Sequence, residues 1–182
     1  MAEEDKKKKG LLIVYTGDGK GKTTASLGMV VRAVGYNWKV AIFQFVKGSW
    51  KYGELEGIKK LAPNVELEVL GAGFVGIVDD DKPIEEHRRV AKEAVETVRQ
   101  KILSDKYDLV ILDELNVALS LGLISQDEVE SIIENKPERL FLVITGRGAA
   151  KWLIDRADLV TEMKEIKHPY QKGILAQKGI DF

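Results

Sequence analysis

Two hydrophobic patterns alternate along the chain. Leu11–Tyr15 is an unbroken apolar run, as a strand buried on both faces requires. Lys39–Phe45, Val65–Leu70, Asp108–Leu112, Leu140–Thr145 and Leu159–Glu162 predict further strands. Between them the spacing changes to that of helices. Lys22–Gly35 predicts one helix and the region near Leu55–Leu61 a short one. Ile84–Leu103 predicts a long helix, because Ile84, Ala91, Ala94, Val95, Val98 and Ile102 follow a 3.6-residue period. Ser125, with Glu128 three residues on, predicts a capping box at the start of another. Alternating strands and helices imply an α/β fold, a mostly parallel sheet with helices on both faces. Residues 10–182 are expected to form a single domain behind a charged arm, residues 1–9.

Composition narrows the possible chemistry. The 182 residues, 20.3 kDa, suit one domain with a sizeable core. Lys and Arg number 28 against 29 Asp and Glu, a net charge of -1, which argues against a nucleic-acid-coating protein. The absence of cysteine excludes disulfide scaffolds, thiolate metal sites and cysteine nucleophiles. No run approaches the ~20 apolar residues of a membrane span, and Met1–Lys9 lacks an apolar signal stretch, so a cytoplasmic protein is expected. Residues 71–83 hold three glycines, an acidic triplet and the apolar Phe74, Ile77 and Val78. That composition suits either a loop packed on the body or a lid over a large ligand.

The strongest local signal is Thr16-Gly17-Asp18-Gly19-Lys20-Gly21-Lys22-Thr23-Thr24, placed between the first strand and first helix. Strand, glycine-rich loop, Gly-Lys-Thr and helix together make a P-loop. Its glycines let backbone N–H groups turn toward phosphate, and the helix N-terminus adds its positive end. Lys22 is expected to reach the terminal phosphates, and the Thr23 hydroxyl to bind Mg²⁺. The pattern departs from GxxxxGK[ST] in one place: Thr16 occupies the first glycine position. Leu109-Val110-Ile111-Leu112-Asp113-Glu114 supplies the other half, two acids at the end of a buried strand. These features predict a P-loop NTPase-like (RecA-like) fold binding a nucleoside triphosphate with Mg²⁺ or Mn²⁺. An ATPase, a kinase, a motor or a transferase fits this much; the missing Asn-Lys-x-Asp guanine motif counts against a GTPase.

Further motifs narrow the choice. They are Gln44-Phe45-Val46-Lys47-Gly48, then Trp50 and Gly53-Glu54, then Ile144-Thr145-Gly146-Arg147-Gly148 and Ala157–Glu162. The chain closes on Lys167-His168-Pro169-Tyr170 and Gln177-Lys178-Gly179-Ile180-Asp181-Phe182. In this order, over residues ~10–182, the set closely resembles the CobA/BtuR/CobO family of corrinoid adenosyltransferases.

The resemblance implies that Co(I) of a reduced corrinoid attacks the 5′ carbon of ATP, releasing inorganic triphosphate. It implies ATP lying in a reversed sense across the loop, which suits the displaced first glycine. Gly17, Asp18, Gly19, Lys20, Gly21, Lys22, Thr23 and Thr24 match the family's phosphate loop, Lys20 and Lys22 as catalytic cations. Arg32 and Arg147 match nucleotide-side arginines, and Thr23, Asp113 and Glu114 the metal side. Lys47, Trp50 and Phe74 match positions near the corrinoid. Phe74 matches an aromatic that presses on the corrin's lower face, displacing its axial ligand. Gly76 stands where the family has Trp. The resemblance also implies a homodimer and an electron donor such as a flavoprotein reductase.

A few single residues carry expectations of their own. Arg147, flanked by glycines after a strand, is expected to meet phosphate. His87, among Glu85, Glu86, Arg88 and Arg89, is expected on a solvated face, and His168 in a structural or surface role. Trp38 and Trp152 are expected to pack against the sheet.

Overall fold

A computed structural model of the chain describes residues 9–47, 52–73 and 82–182. Residues 1–8 of the charged arm, Trp50, Phe74, Gly76, Ile77 and Val78 lie outside the described residues. Among the described residues six strands form one sheet: β1 (Leu12–Thr16), β2 (Val40–Gln44), β3 (Val65–Val69), β4 (Leu109–Asp113), β5 (Phe141–Thr145) and β6 (Leu159–Glu162). The spatial order is β3-β2-β4-β5-β1-β6, and every pair is parallel. The helices are α1 (Lys22–Gly35), α2 (Gly53–Lys59), α3 (Ile84–Leu103), α4 (Leu115–Ser120), α5 (Gln126–Glu134) and α6 (Lys151–Arg156). A 3₁₀ turn covers Pro169–Lys172. The short α4, directly behind the acids of β4, is an element the apolar spacing did not predict.

The unbroken apolar runs are explained by two cores, one on each side of the sheet. Val14, Phe43, Val110, Leu112 and Ile144 face one, with α3 and α5. Ile13, Ile42, Leu109, Ile111 and Val143 face the other, with α1. Successive residues of one strand therefore alternate between cores, and both sets must be apolar. Trp38 stacks on Phe141 at 5.3 Å, and Trp152 packs on the α3 side. On α3, His87 falls three residues after Ile84 and four before Ala91. It shares their stripe and is buried, not on the solvated face its charged neighbours suggested.

The capping box forms as the spacing predicts. The Ser125 Oγ accepts the Glu128 N–H, and the Glu128 carboxylate accepts the Ser125 N–H at 2.7 Å. Ser125→Ala is expected to cost about 1 kcal/mol of unfolding free energy in a urea titration, with the m-value unchanged.

Most of the polar interior gathers in one place. Eight polar or charged residues are buried among those described. Four of them, Thr16, Gln44, Asp113 and Thr145, are the last residues of strands. Lys22 and Asn116 follow close behind two of these strands. A parallel sheet brings such ends to one edge, where the crevice of an open α/β sheet lies.

Candidate functional site

Glycine-specific backbone shapes the phosphate loop. Gly17 and Gly21 have φ of 93° and 113°, and a Cβ at Gly17 or Gly19 would lie 2.5–2.9 Å from the chain around Met163. The Met163 N–H donates to the Thr16 carbonyl at 2.8 Å, and the Gly19 N–H donates to the Met163 carbonyl at 2.7 Å. One loop amide is thus turned toward protein. The Thr16 hydroxyl accepts the Ala149 N–H at 3.1 Å, which gives a non-glycine residue work at this position. Gly21 is the N-cap of α1, no side chain caps this end, and no acid sits in its first turn. Its free N–H groups and dipole favour an anion.

The Lys22 ammonium lies at the centre of the loop, donating to the carbonyls of Gly17 at 2.6 Å and Gly19 at 2.7 Å. Burial pulls its pKa below the usual lysine value; Glu114 opposes this, while Arg147 adds to it. Lys20 stands nearer solvent and pairs with Asp181.

The strand order decides how loop and acids meet. β5 separates β1 from β4, so Thr145 sits between the loop and Asp113. Its hydroxyl donates to Asp113 Oδ1 at 2.7 Å and accepts the Glu114 N–H at 3.1 Å. The Thr23 hydroxyl donates to the same Oδ1 at 2.8 Å. On Oδ2, Gln44 Nε2 donates at 3.2 Å and the Lys47 ammonium lies at 3.4 Å. Asp113 is therefore saturated by protein donors. Glu114 differs: its backbone is left-handed, φ 62°, a strained choice for a non-glycine residue. Burial raises its carboxyl pKa, and Asp113 raises it further.

Lys47 belongs to this acid cluster. Its ammonium is 2.5 Å from Glu54 and lies 4.9 Å over the Tyr52 ring. Burial lowers its pKa, but Asp113 and Glu54 outweigh burial and the net direction is upward. Burial pushes Glu54 up, and the hydrogen bond from Lys47 turns the net shift downward.

The cleft between these groups has a volume of about 410 Å³. Gly19, Lys20, Gly21, Lys22, Thr23, Thr24, Lys47, Glu114 and Arg147 line it, all of them residues that sequence reasoning selected. Arg147 is presented by a turn in which Gly146 and Gly148 have φ of 128° and 67°. Asn116 of α4 pins this turn by donating to the Gly146 carbonyl at 3.1 Å. Asp18 is exposed beside the loop and acts on Lys22 through its charge. Arg32 is exposed on the last turn of α1, about 15 Å along the helix from Lys22. It does not line this cleft. His168 accepts the Tyr170 N–H through Nδ1 at 3.2 Å, capping the 3₁₀ turn.

Asn116 and Met163 escaped sequence reasoning, since neither carries a distinctive spacing. Gln44, Glu54, Thr145, Ile180 and Asp181 stood inside recognised motifs without an assigned role.

Comparison with known proteins agrees with this picture. A flagellar accessory protein, FlaH from Methanocaldococcus jannaschii, superposes with a TM-score of 0.52 at 11% identity. The match covers 85% of this chain and 71% of that one, a likeness of P-loop fold alone. The corrinoid adenosyltransferase of Pseudomonas aeruginosa is 41% identical over 96% of this chain and 84% of its own length. The corrinoid adenosyltransferase CobA of Salmonella typhimurium is 37% identical over 100% of this chain and 89% of its own. Residues 8–182 match the family model for ATP:corrinoid adenosyltransferase BtuR/CobO/CobP, and the chain belongs to that family.

Proposed function

We propose that this protein transfers the 5′-deoxyadenosyl group of ATP to Co(I) of a reduced corrinoid. The observation that carries the reading is the family match over residues 8–182. A cobalt–carbon bond forms, the C5′–O bond breaks, and its electron pair leaves on inorganic triphosphate. The nucleophile belongs to the substrate, so the protein supplies no base. Its part is to align cobalt with carbon and to meet the charge growing on the leaving group. Lys22, Lys20, Arg147 and the N-terminus of α1 converge on the cleft for that purpose.

Among Thr23, Asp113 and Glu114, the set is all oxygen, as Mg²⁺ or Mn²⁺ requires, and too small for a cage, as suits a cation that keeps waters. Thr23 and Glu114 would hold the ion, and Asp113, already engaged, would orient Thr23. Bound there, the ion would neutralise phosphate charge.

The reading extends to Trp50 and Phe74 on the corrinoid side. It extends also to one folded domain over 10–182, a cytoplasmic site supplied with ATP, and an electron donor such as a flavoprotein reductase. A homodimer is part of it, supported by the exposed Leu159 and Val160 on edge strand β6 and the exposed Ile166, Tyr170 and Leu175 beyond it. No nucleic acid is involved, in keeping with a net charge of -1. Anaerobic assay with a Co(I) corrinoid, ATP and Mg²⁺ is expected to yield the adenosyl–cobalt spectrum and triphosphate in equal amounts. Release of ADP or orthophosphate instead would make the protein an ATPase or kinase.

A further inference from the structure

The last residues of the chain return over the phosphate loop. The Ile180 and Asp181 N–H groups donate to the Gln177 carbonyl at 3.1 and 2.8 Å. Gly179, with φ 82°, donates to the Phe182 carbonyl at 2.8 Å. This closed turn aims the Asp181 carboxylate: Oδ2 accepts the Gln177 N–H at 2.7 Å and Oδ1 pairs with Lys20. On its far side the Phe182 backbone lies beside Gly53, where a Cβ would be 3.7 Å away. The turn thus spans from the phosphate loop to the start of α2, and Ile180 and Asp181 form part of the cleft wall.

A carboxylate held on a phosphate-loop lysine competes with phosphate for the same cation. We propose that Asp181 is a built-in competitor for Lys20: the ammonium passes to the polyphosphate when it binds and returns to Asp181 when it leaves. The proposal rests on the cleft being the ATP site. Lys20 is the loop cation free to make this exchange, with a side chain 49% exposed, whereas Lys22 is buried and tied to loop carbonyls. Lys20 and the Gln177 amide also hold the Asp181 carboxyl below its usual pKa, so the competitor stays ionised near neutral pH. The consequence is greatest for inorganic triphosphate, which offers the loop the charge of ATP without the adenosyl group. Asp181 is a positioning residue that eases product release.

Calorimetry of the full chain, without corrinoid, with inorganic triphosphate and separately with ATP, both with Mg²⁺, tests this. Asp181→Asn is expected to tighten triphosphate about two- to five-fold, the range of an exposed ion pair. Product inhibition by triphosphate is expected to strengthen by the same factor. In a Lys20→Met background, Asp181→Asn is expected to change neither. Unchanged or weaker triphosphate binding in Asp181→Asn overturns the proposal. So does an effect that survives Lys20→Met, which would make the tail a wall and not a competitor. A wild-type chain that binds neither ligand sinks the ATP-site reading, and the competitor with it.

Discussion

Lys22→Ala is expected to lower kcat/KM for ATP by about two to three orders of magnitude, with kcat carrying most of the loss. The ammonium is held at the centre of the loop by two short bonds to the Gly17 and Gly19 carbonyls, so little reorganisation is needed to bring it to phosphate. Negative charge on the triphosphate increases as the C5′–O bond breaks, and an ammonium there stabilises the transition state more than bound ATP. Steady-state kinetics at saturating Co(I) corrinoid reads the split; a variant with wild-type kcat/KM would remove Lys22 from this role. The direction of its pKa adds a second signature. Burial lowers it from the ordinary 10.5, so the active, charged form is lost early on the alkaline side. The wild type is expected to show an alkaline fall in kcat/KM beginning below 10.5, and Lys22→Ala to lack it. Stability moves the other way. Between the lowered folded value and the ordinary one the unfolded chain binds more protons, so the fold gains stability as pH rises through that window.

The second large effect is on folding. Lys47→Met is expected to lower the unfolding free energy by about 3–5 kcal/mol, the usual loss when one partner of a buried ion pair is removed. The reason is arithmetic of charge: Lys47 faces two carboxylates, Glu54 and Asp113, whose side chains are 15% and 1% exposed. Without the ammonium both acids stay buried and lose their ion-pair partner. Denaturant titration at neutral pH measures the loss, and a change under about 1 kcal/mol would show that the cluster is solvated. The pH dependence should reverse in sign. In the wild type, Lys47 holds the Glu54 pKa below 4.5. The stability this contributes is present above that value and is lost as pH falls through the lowered one. In Lys47→Met the burial that raises the Glu54 pKa is no longer opposed by the ammonium, so Glu54 ionises less readily than in an unfolded chain and the variant is expected to become more stable as pH falls from neutrality toward 5.

Much of this was legible in the chain itself. The central strands could be read because burial on both faces forces unbroken apolar runs, as in Leu109–Leu112. The phosphate loop could be read because its glycines are required by backbone geometry, not by packing. What escaped notice depends on strand order, which no local pattern encodes. Thr145 bridges the loop and Asp113 only because β5 lies between β1 and β4. Lys47 looked like a ligand-facing cation, and its pairing with Glu54 and Asp113 required β2 to lie beside β4. His87 was misplaced because its sequence neighbours are charged, while its helical neighbours, Ile84 and Ala91, are apolar.

The contact between Met163 and the phosphate loop bears on how much disorder a nucleotide must remove. Loops rich in glycine sample many shapes, and freezing them on binding costs entropy. Here the Thr16 and Gly19 backbone is already paired with Met163, a residue that follows the last strand. The shape that receives phosphate is therefore set when the chain folds, before any ligand arrives. Binding energy that would go into ordering the loop remains for holding two reactants in line.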